Sequence, residues 1–338
     1  VMIQSKAGIT YNTSITSSSS TCGNVTIAAN AGTSGQIDFS ASANLTLACN
    51  DKSIWLISNG AINTSTSVTI QTTKTSGAQL VMWADQDRSA SAGGNISFGQ
   101  GTFLNTSGGA TTVDQGVTGA VGGGIWIAGG AAGTDGYPSG YAFANSGTTQ
   151  GINGLATSGS ATGLRIYTGG GNLVMRGESS VNIGVAMADG TQIDSGAGSV
   201  TIAALSTTTT GATNPHALEW QTMAANNSTI TSSKASADAI TITGTSTAPA
   251  ADSQGVSFWA NNSTGSAVTL TARGAGGNIV ITGSSANAVS GVRLNSVNFY
   301  TASGNVTIDG GAKGVAFAVG ANNVGVNIGA ASGSTSSG

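Results

Sequence analysis

The feature that most constrains this chain is one short phrase that recurs from end to end. Its copies are GNVTI at 23–27 and again at 304–308, GGNISF at 93–98, GNLVM at 171–175, GSVTI at 198–202 and GNIVI at 277–281. Each copy has glycine, then Asn or Ser, then an apolar residue at every second position; the residue between them is Thr or Ser in four copies and Val in GNLVM and GNIVI. Alternation with a period of two is typical of a β-strand. The recurrence therefore indicates a repeat architecture built from strands.

The spacing of the repeats favours a solenoid over a propeller. The related phrases GVSF, GVRL and GVAF begin at residues 255, 291 and 314, so the interval changes from one repeat to the next. Propeller blades keep nearly constant length, whereas a solenoid absorbs insertions in its loops. We therefore predict an all-β fold, a parallel β-helix of roughly thirteen coils, each about 25 residues long and stacked about 4.8 Å apart.

Four polar or glycine-rich stretches interrupt the phrase and are predicted to be loop excursions. They lie near 99–122, 131–162, 203–216 and 244–254. In the second of them, residues 131–150 have the composition of a loop throughout, with Pro138 among glycines. The strand phrase resumes after each interruption, so residues 1–338 are predicted to be a single solenoid segment. Because the sequence starts at Val1, without an initiator Met or signal peptide, we expect a processed piece or part of a longer chain or fibre.

Composition excludes several classes of partner. Charged residues make up 7% of the chain and the formal net charge is -3, with 10 Lys and Arg in no basic run. A nucleic-acid or anionic-membrane surface needs clustered positive charge, so neither is predicted. No apolar stretch reaches the roughly 18 residues of a membrane-spanning helix. Disorder is the alternative reading of so polar a chain, but the low net charge and the recurring strand phrase argue against it.

The two cysteines are spaced like equivalent positions of the repeat. Cys22 and Cys49 have the same separation as Asn278 and Asn305, which open two consecutive copies of the phrase. The cysteines can therefore lie one above the other on adjacent coils. A disulfide between them would fit an oxidising or extracellular setting. The alternative is two unpaired, small core residues.

No catalytic signature accompanies the repeat. His216 is the single histidine, with Glu219 nearby, but the pair belongs to no recognisable local motif, so we expect His216 to cap a loop after Pro215. Asp85 and Asp87 are interpreted as a solvated turn, with a weak Ca²⁺ loop as the alternative. No other cofactor or metal is predicted, and no catalytic residue.

Aromatic and asparagine residues leave two further questions open. The five tryptophans mostly end strand phrases; they are Trp55, Trp83, Trp126, Trp220 and Trp259. Packing in the core or at a corner is the commoner role, and stacking on sugar rings is the alternative. If glycans bind, Trp83 and Tyr137, in the regions around 85–92 and 131–150, are the predicted contacts. The Asn-x-Ser/Thr triplets, such as those at Asn24, Asn44 and Asn305, are interpreted as turn and ladder residues, and their glycosylation would depend on the host.

The amino-acid sequence of one region resembles that of a known family. LVMWADQDRSASAGGNISFGQGTFLNTSGG at 80–109, followed by GGGIWIAGGAAGTDGYPSGYAF at 122–143, resembles large bacterial exoproteins of the filamentous-haemagglutinin type, adhesins exported by two-partner secretion. The secretion domain of that family is not recognisable in the sequence. The resemblance implies a right-handed β-helical shaft that is secreted or held at the bacterial cell surface. It further implies partners such as host or matrix glycans or surface proteins.

The sequence thus predicts a structural or adhesive β-helical segment without enzymatic activity. The ends of such a segment present unpaired strands, so we expect it to associate with itself by end-to-end or lateral stacking. The alternative is a polysaccharide-binding or polysaccharide-degrading β-helix.

Overall fold

The predicted fold class is confirmed. The computed structural model describes residues 1–17, 22–29, 35–73, 77–87, 93–108, 122–145, 150–154, 163–209, 215–222, 226–260, 266–318 and 325–330. Apart from two short strands added to the first sheet, the three parallel sheets receive their strands in rotation along the chain, so each turn of the chain adds one strand to every sheet. This is a parallel β-helix, and the described residues form ten coils. At a spacing of about 4.8 Å, ten coils make a stack about 45 Å long.

The three sheets are called A, B and C in the order in which each coil visits them. Sheet A contains β1 (Met2–Ser5), β4 (Val25–Ala29), β7 (Ile54–Ser58), β10 (Leu80–Ala84), β13 (Ile125–Ala132), β18 (Leu173–Ser179), β21 (Val200–Ser206), β24 (Asp238–Ser246), β27 (Asn278–Ser285) and β30 (Val306–Asp309), with β14 (Pro138–Gly140) and β15 (Ala142–Ala144) at its side. Sheet B contains β2 (Ile9–Tyr11), β5 (Ile37–Phe39), β8 (Ile62–Thr64), β11 (Ile96–Phe98), β16 (Ile152–Gly154), β19 (Val185–Met187), β22 (Leu218–Thr222), β25 (Val256–Ala260), β28 (Val292–Leu294) and β31 (Val315–Phe317). Sheet C contains β3 (Ile15–Ser17), β6 (Leu45–Leu47), β9 (Thr69–Thr72), β12 (Phe103–Asn105), β17 (Arg165–Tyr167), β20 (Gln192–Asp194), β23 (Ser228–Ser232), β26 (Val268–Ala272), β29 (Val297–Thr301) and β32 (Val326–Ala330).

Apolar side chains form unbroken columns along the axis. In sheet A, one inward column runs through all ten coils: Ile3, Ile27, Leu56, Met82, Ile127, Met175, Ile202, Ile242, Ile281 and Ile308. Its eight inner members are fully buried. Removing one such side chain from water is worth about 1.5–3 kcal/mol. Because a single coil has no interior of its own, this stabilisation exists only between stacked coils.

The recurring phrase marks mainly one sheet. Five of its six copies lead into or form strands of sheet A, whereas the copy at 93–98 forms β11 in sheet B. GVSF, GVRL and GVAF are equivalent, as their alignment predicted, because Val256, Val292 and Val315 are in register in sheet B. The period-two pattern is the same on all three faces, so the sequence could not distinguish one sheet from another.

Asparagine side chains of the phrase connect one coil to the next. The Oδ1 atom of Asn24 accepts a hydrogen bond of 3.0 Å from the backbone N–H of Ser53, which precedes the strand above. Asn278 accepts in the same way from the N–H of Asn305 at 2.9 Å. Asn44 does so beside sheet C, where the N–H of Thr69 donates at 2.7 Å. The contacts of Asn24 and Asn44 agree with the interpretation of their triplets as ladder residues, whereas Asn278 stands in the recurring phrase but in no Asn-x-Ser/Thr triplet.

Glycine is required where a coil turns sharply from sheet A to sheet B. A Cβ atom added to Gly283 would overlap the carbonyl oxygen of Gly291, and one added to Gly244 would overlap that of Gly255. At these positions the backbones of sheets A and B meet too closely for a side chain. Gly177 and Gly184 form the same pair in coil six, whereas Ala204 takes the equivalent position in coil seven, so the corner accounts for glycine in three coils.

The prediction of a loop throughout 131–150 is wrong. Strand β13 continues to Ala132 and forms an antiparallel hairpin with β14, in which Pro138 pairs with Ala132. After the hairpin, β15 pairs with β18 from Ala142 to Ala144 and so takes the place in sheet A that β13 has left. The inward Ala142 and Ala144 are buried. The excursion is thus an ordered insertion within coil five.

The other loop boundaries also need correction. Strand β12 lies inside the predicted excursion 99–122, and β21 and β24 extend to Ser206 and Ser246, inside those predicted near 203–216 and 244–254. Ser206 and Ser246 are in register and buried at the end of their strands. Their hydroxyls donate to the equivalent connection of the preceding coil, Ser206 to the carbonyl oxygen of Asn182 at 3.1 Å and Ser246 to that of Pro215 at 3.2 Å. The coils are longer than predicted, which explains why there are ten rather than about thirteen.

Two features distinguish the ends of the stack. Cys22 and Cys49 form a disulfide between coils two and three, with their Cα atoms 6.2 Å apart. In the last coil, Phe317 and Ile328 remain 65% and 62% exposed although they occupy inward positions. Among the described residues, no strand pairs with the outer edge of this coil.

Candidate functional site

A pocket lies against the outer face of sheet B, on coils seven to nine. It is a cavity of about 150 Å³ lined by His216, Glu219, Asp252, Trp259 and Arg293. Two of these residues, His216 and Asp252, precede their sheet B strands β22 and β25, on the connections from sheet A in coils seven and eight. Together with outward side chains of sheet B, they enclose the cavity.

Two lining residues of the pocket, Glu219 and Arg293, belong to one column of outward residues on sheet B. Glu219 of β22, Ser257 of β25 and Arg293 of β28 are aligned by parallel pairing. Glu219 is 4% exposed and Ser257 is completely buried, unlike most residues that point away from a solenoid core. The Ser257 Oγ atom is buried without a hydrogen-bond partner. The column therefore carries an acid, a hydroxyl and a cation in successive coils.

A second outward column and a connecting segment complete the walls. Trp259 of β25 is in register with Gln221 of β22, two positions along from the first column. Asp252 lies on the connection before β25, and its Oδ1 atom is 3.7 Å from an Arg293 nitrogen. Asp252 also accepts a hydrogen bond of 2.8 Å from the Gln254 side chain. Asp252 thus offsets the positive charge of Arg293 at the solvent-exposed side of the pocket.

His216 is held by the neighbouring coil. Its Nδ1 atom accepts a hydrogen bond of 3.2 Å from the backbone N–H of Gln254, so the proton of the neutral ring is assigned to Nε2. Burial lowers the pKa of His216 to about 4; Asp252 opposes this shift, and Arg293 adds to it. His216 is therefore uncharged at neutral pH. It joins two coils just after Pro215, in agreement with its predicted role as a loop cap.

Glu219 is a buried acid in the same pocket. Its Oε1 atom accepts a hydrogen bond of 2.5 Å from the Gln221 side chain. Burial raises the pKa of Glu219, while the Gln221 bond lowers it; of the nearby charges, Asp252 raises it and Arg293 lowers it. Burial dominates because water is largely excluded from the carboxyl group. The pocket thus combines a weakened acid with a neutral imidazole.

The arrangement offers hydrogen bonding more readily than nucleophilic catalysis. A triad needs the nucleophile to bond to its base, and the Ser257 Oγ atom makes no such bond to His216. The lining of the cavity instead contains hydrogen-bond donors, hydrogen-bond acceptors and the indole ring of Trp259. That combination is typical of a site for a small polar ligand.

The two predicted glycan contacts have structural roles. Trp83 is 5% exposed, and its indole N–H donates to the carbonyl oxygen of Gly130 at 2.7 Å, so it presents no face to a ligand. Tyr137 extends from the β13–β14 hairpin over sheet A. There its ring stacks between Trp55 and Trp126, at centroid distances of 5.4 and 4.2 Å, and its hydroxyl donates to Gln79. Both faces of the Tyr137 ring are covered.

The other predicted site residues are separated by the fold. Asp85 is buried and has a positive φ of 49°, whereas Asp87 is exposed, so the two carboxylates do not share one surface. Residues 88–92 of the proposed Ca²⁺ loop lie outside the described residues. Within the described ranges, no group of three or more His, Cys, Asp or Glu side chains is placed to hold a metal ion. Trp220 packs in the core, where it stacks on Phe258.

Sequence reasoning paired His216 with Glu219 but did not include Asp252 or Arg293. These residues come from three coils whose lengths differ, so no fixed spacing in the sequence relates them. One signal was present: the predicted loops near 203–216 and 244–254 are consecutive in the stack and both flank sheet B. Insertions at equivalent corners of adjacent coils are expected to meet.

Comparison with other proteins adds no assignment. None of the protein-family models, curated proteins or solved structures compared with the chain matches it. In the described part of the chain, no helix has the length and apolar character needed to span a bilayer.

Proposed function

We propose that the chain is part of a structural or adhesive β-helical shaft of a secreted or cell-surface bacterial protein. The observation that supports this most is the inward column of sheet A, which passes through ten coils without a break. A core of this kind extends with every added coil, so the number of repeats sets the length of the molecule. An elongated molecule of this kind is suited to serve as a shaft.

The Cys22–Cys49 disulfide supports a location outside the cytoplasm. Disulfides persist in oxidising surroundings such as the cell exterior. The pair joins two adjacent coils rather than belonging to a reactive motif. The likeness of residues 80–109 and 122–143 to filamentous-haemagglutinin-type adhesins is consistent with the same location. On this basis, surface glycans or proteins of a host or matrix are the proposed partners.

The exposed last coil supports self-association along the axis. Phe317 and Ile328 present apolar surface at the end of the stack, and the edge strands β30, β31 and β32 offer unpaired backbone groups. The first coil exposes Met2 to 66% and leaves Ile3 half-buried at the other end. Parallel addition of one copy's first coil to the last coil of another would cover both surfaces. The product would be a filament.

Electron microscopy and sedimentation velocity over a concentration series test the proposal. We expect rods that lengthen as protein concentration rises, and shorter rods for the Phe317→Asp and Ile328→Asp variants. Val289→Asp is the matched control, because Val289 is 80% exposed but lies on the side of the stack, between β27 and β28. Compact particles whose mass is independent of concentration would contradict a filament-forming shaft.

A further inference from the structure

The pocket on sheet B is not accounted for by the architecture of a shaft. Five side chains from coils seven, eight and nine enclose about 150 Å³ outside the core. Two of them, His216 and Glu219, are almost completely buried there. Burying an acid and an imidazole outside the core costs stability, and the core does not need them. Their placement therefore indicates a binding role.

Two lining residues of the cavity lie in one outward column of sheet B. Glu219 and Arg293 stand on either side of Ser257 in register, and both line the cavity, whereas Ser257 itself is fully buried beneath them. The column therefore places an acid and a cation at the same cavity, one coil apart from the buried hydroxyl on each side.

The walls define the chemistry of that ligand. Arg293 supplies N–H donors and Asp252 supplies acceptor oxygens, and their charges offset each other across 3.7 Å. His216 is uncharged, and the partly exposed Trp259 adds an indole ring to the lining. The lining therefore carries no large excess of positive or negative charge with which a strongly charged ligand could pair. A ligand with several hydroxyl groups and one apolar face matches donors, acceptors and indole together.

We infer that this pocket binds a single neutral pyranose ring, with one sugar face stacked on Trp259 and its hydroxyls bonded to Glu219, Asp252 and Arg293. The cavity is smaller than the roughly 300 Å³ at which drug-sized sites begin, so one ring fits and an oligosaccharide does not. The ring is either a free monosaccharide or the end of a glycan chain. This inference is independent of the proposed filament, because sugar binding on the side of a coil requires no second copy.

Saturation-transfer difference NMR on the full chain tests the inference. The probes are glucose, galactose, mannose, N-acetylglucosamine and N-acetylgalactosamine, with glucuronic acid as the charged comparison. We expect transfer to at least one neutral sugar and weaker transfer to the uronic acid. A second arm uses disaccharides that end in the bound sugar: tighter binding than the monosaccharide identifies a glycan end, and equal or weaker binding identifies the free sugar. If no sugar receives transfer, the inference is wrong.

Variants assign the binding to this pocket. Trp259→Ala and Glu219→Gln are expected to weaken binding of the positive sugar at least tenfold, while Trp259→Phe, which keeps an aromatic face, retains more of it. Asp38→Asn is the matched control, since Asp38 is an outward acid of the same sheet in coil two. Circular dichroism of each variant reports folding. Unchanged affinity in folded Glu219→Gln, or in folded Trp259→Ala, would overturn the assignment; Glu219→Gln, which keeps the side-chain volume, decides the outcome if Trp259→Ala does not fold.

Discussion

At the residue scale, the asparagine of the recurring phrase acts on the coil above its own. Asn172 shows the contact most fully, because its Oδ1 atom accepts from both the backbone N–H and the hydroxyl of Ser199, each at 3.0 Å. The strand above begins at Val200, so its entry is fixed by a side chain one coil below. This use of Asn resembles a helix cap, in which a side chain satisfies a backbone donor that the ladder leaves free.

The contact predicts a specific cost for losing the acceptor. Asn172→Ala removes both bonds to Ser199, and we expect the free energy of unfolding to fall by about 1 kcal/mol. Asn172→Asp keeps an oxygen at the same place and should preserve most of the stability. Urea unfolding followed by circular dichroism measures both variants. Equal losses in the two variants would show that the acceptor oxygen is not what matters.

His216 predicts how stability depends on pH. Its pKa is lowered from 6.5 to about 4, so the unfolded chain binds a proton more readily than the folded chain between these values. Stability from this group is fully present above pH 6.5 and is lost as the pH falls towards 4. By linkage, the loss between pH 7 and pH 5 is about 2 kcal/mol. The pKa of Glu219 is raised, so this group makes stability fall as the pH rises, opposite to His216. Glu219 must therefore be present in both proteins that are compared.

The His216→Asn variant isolates this effect. An Asn oxygen can still accept from the N–H of Gln254 but does not titrate, while Glu219, Asp252 and Arg293 remain in place. We expect the urea midpoint of the wild type to fall more steeply than that of the variant between pH 7 and pH 5. Parallel pH profiles for the two proteins would show that His216 is not the group responsible.

At the element scale, the sequence predicted strands wherever side chains alternate over a buried face. It did not predict β14 or β15, because these three-residue strands contain Pro, Ser, Gly, Ala and a single Phe and are held by their neighbours. Pro138 is tolerated because β14 is an edge strand, where a missing N–H is harmless. The pocket was beyond sequence reasoning for a related reason: it depends on the register of β22, β25 and β28, and coil lengths vary.

Tyr137, on the β13–β14 hairpin, is an aromatic residue outside the core whose loss is expected to reduce stability. Tyr137→Ala removes the ring between Trp55 and Trp126 and the bond to Gln79. We expect a loss of about 2 kcal/mol, below the 3–5 kcal/mol of a buried aromatic because the ring is only half-buried. Backbone amides of β13 and β14 should exchange hydrogen faster, as hydrogen exchange with mass spectrometry would show.

Tyr137→Phe is the matched control for the stack. It retains both ring contacts and loses only the hydroxyl bond, so we expect the hairpin to keep most of its protection. If Tyr137→Phe is as damaging as Tyr137→Ala, the hydroxyl rather than the stack holds the hairpin. If neither variant changes exchange, the pairing of β13 with β14 suffices by itself.

At the scale of the whole molecule, stability is expected to vary along the axis. Each coil contacts only its neighbours, so a terminal coil lacks the stabilisation of one interface. The two ends differ, because the disulfide fastens coil two to coil three, while the last coil leaves Phe317 and Ile328 exposed. Closing the loop of 27 residues between Cys22 and Cys49 is worth about 3 kcal/mol. The stack should therefore open first at β30, β31 and β32.

Hydrogen exchange along the chain tests this order. We expect amides of β30–β32 to exchange first and those of central strands such as β21 last, since local opening follows the number of buried contacts. Reduction of the disulfide should accelerate exchange in β4 and β7 and leave β30–β32 unchanged. At concentrations where copies join end to end, protection of β30–β32 should rise, because the missing interface is then supplied by a second copy. Central strands that exchange before the last coil would contradict a stack held by nearest-neighbour contacts.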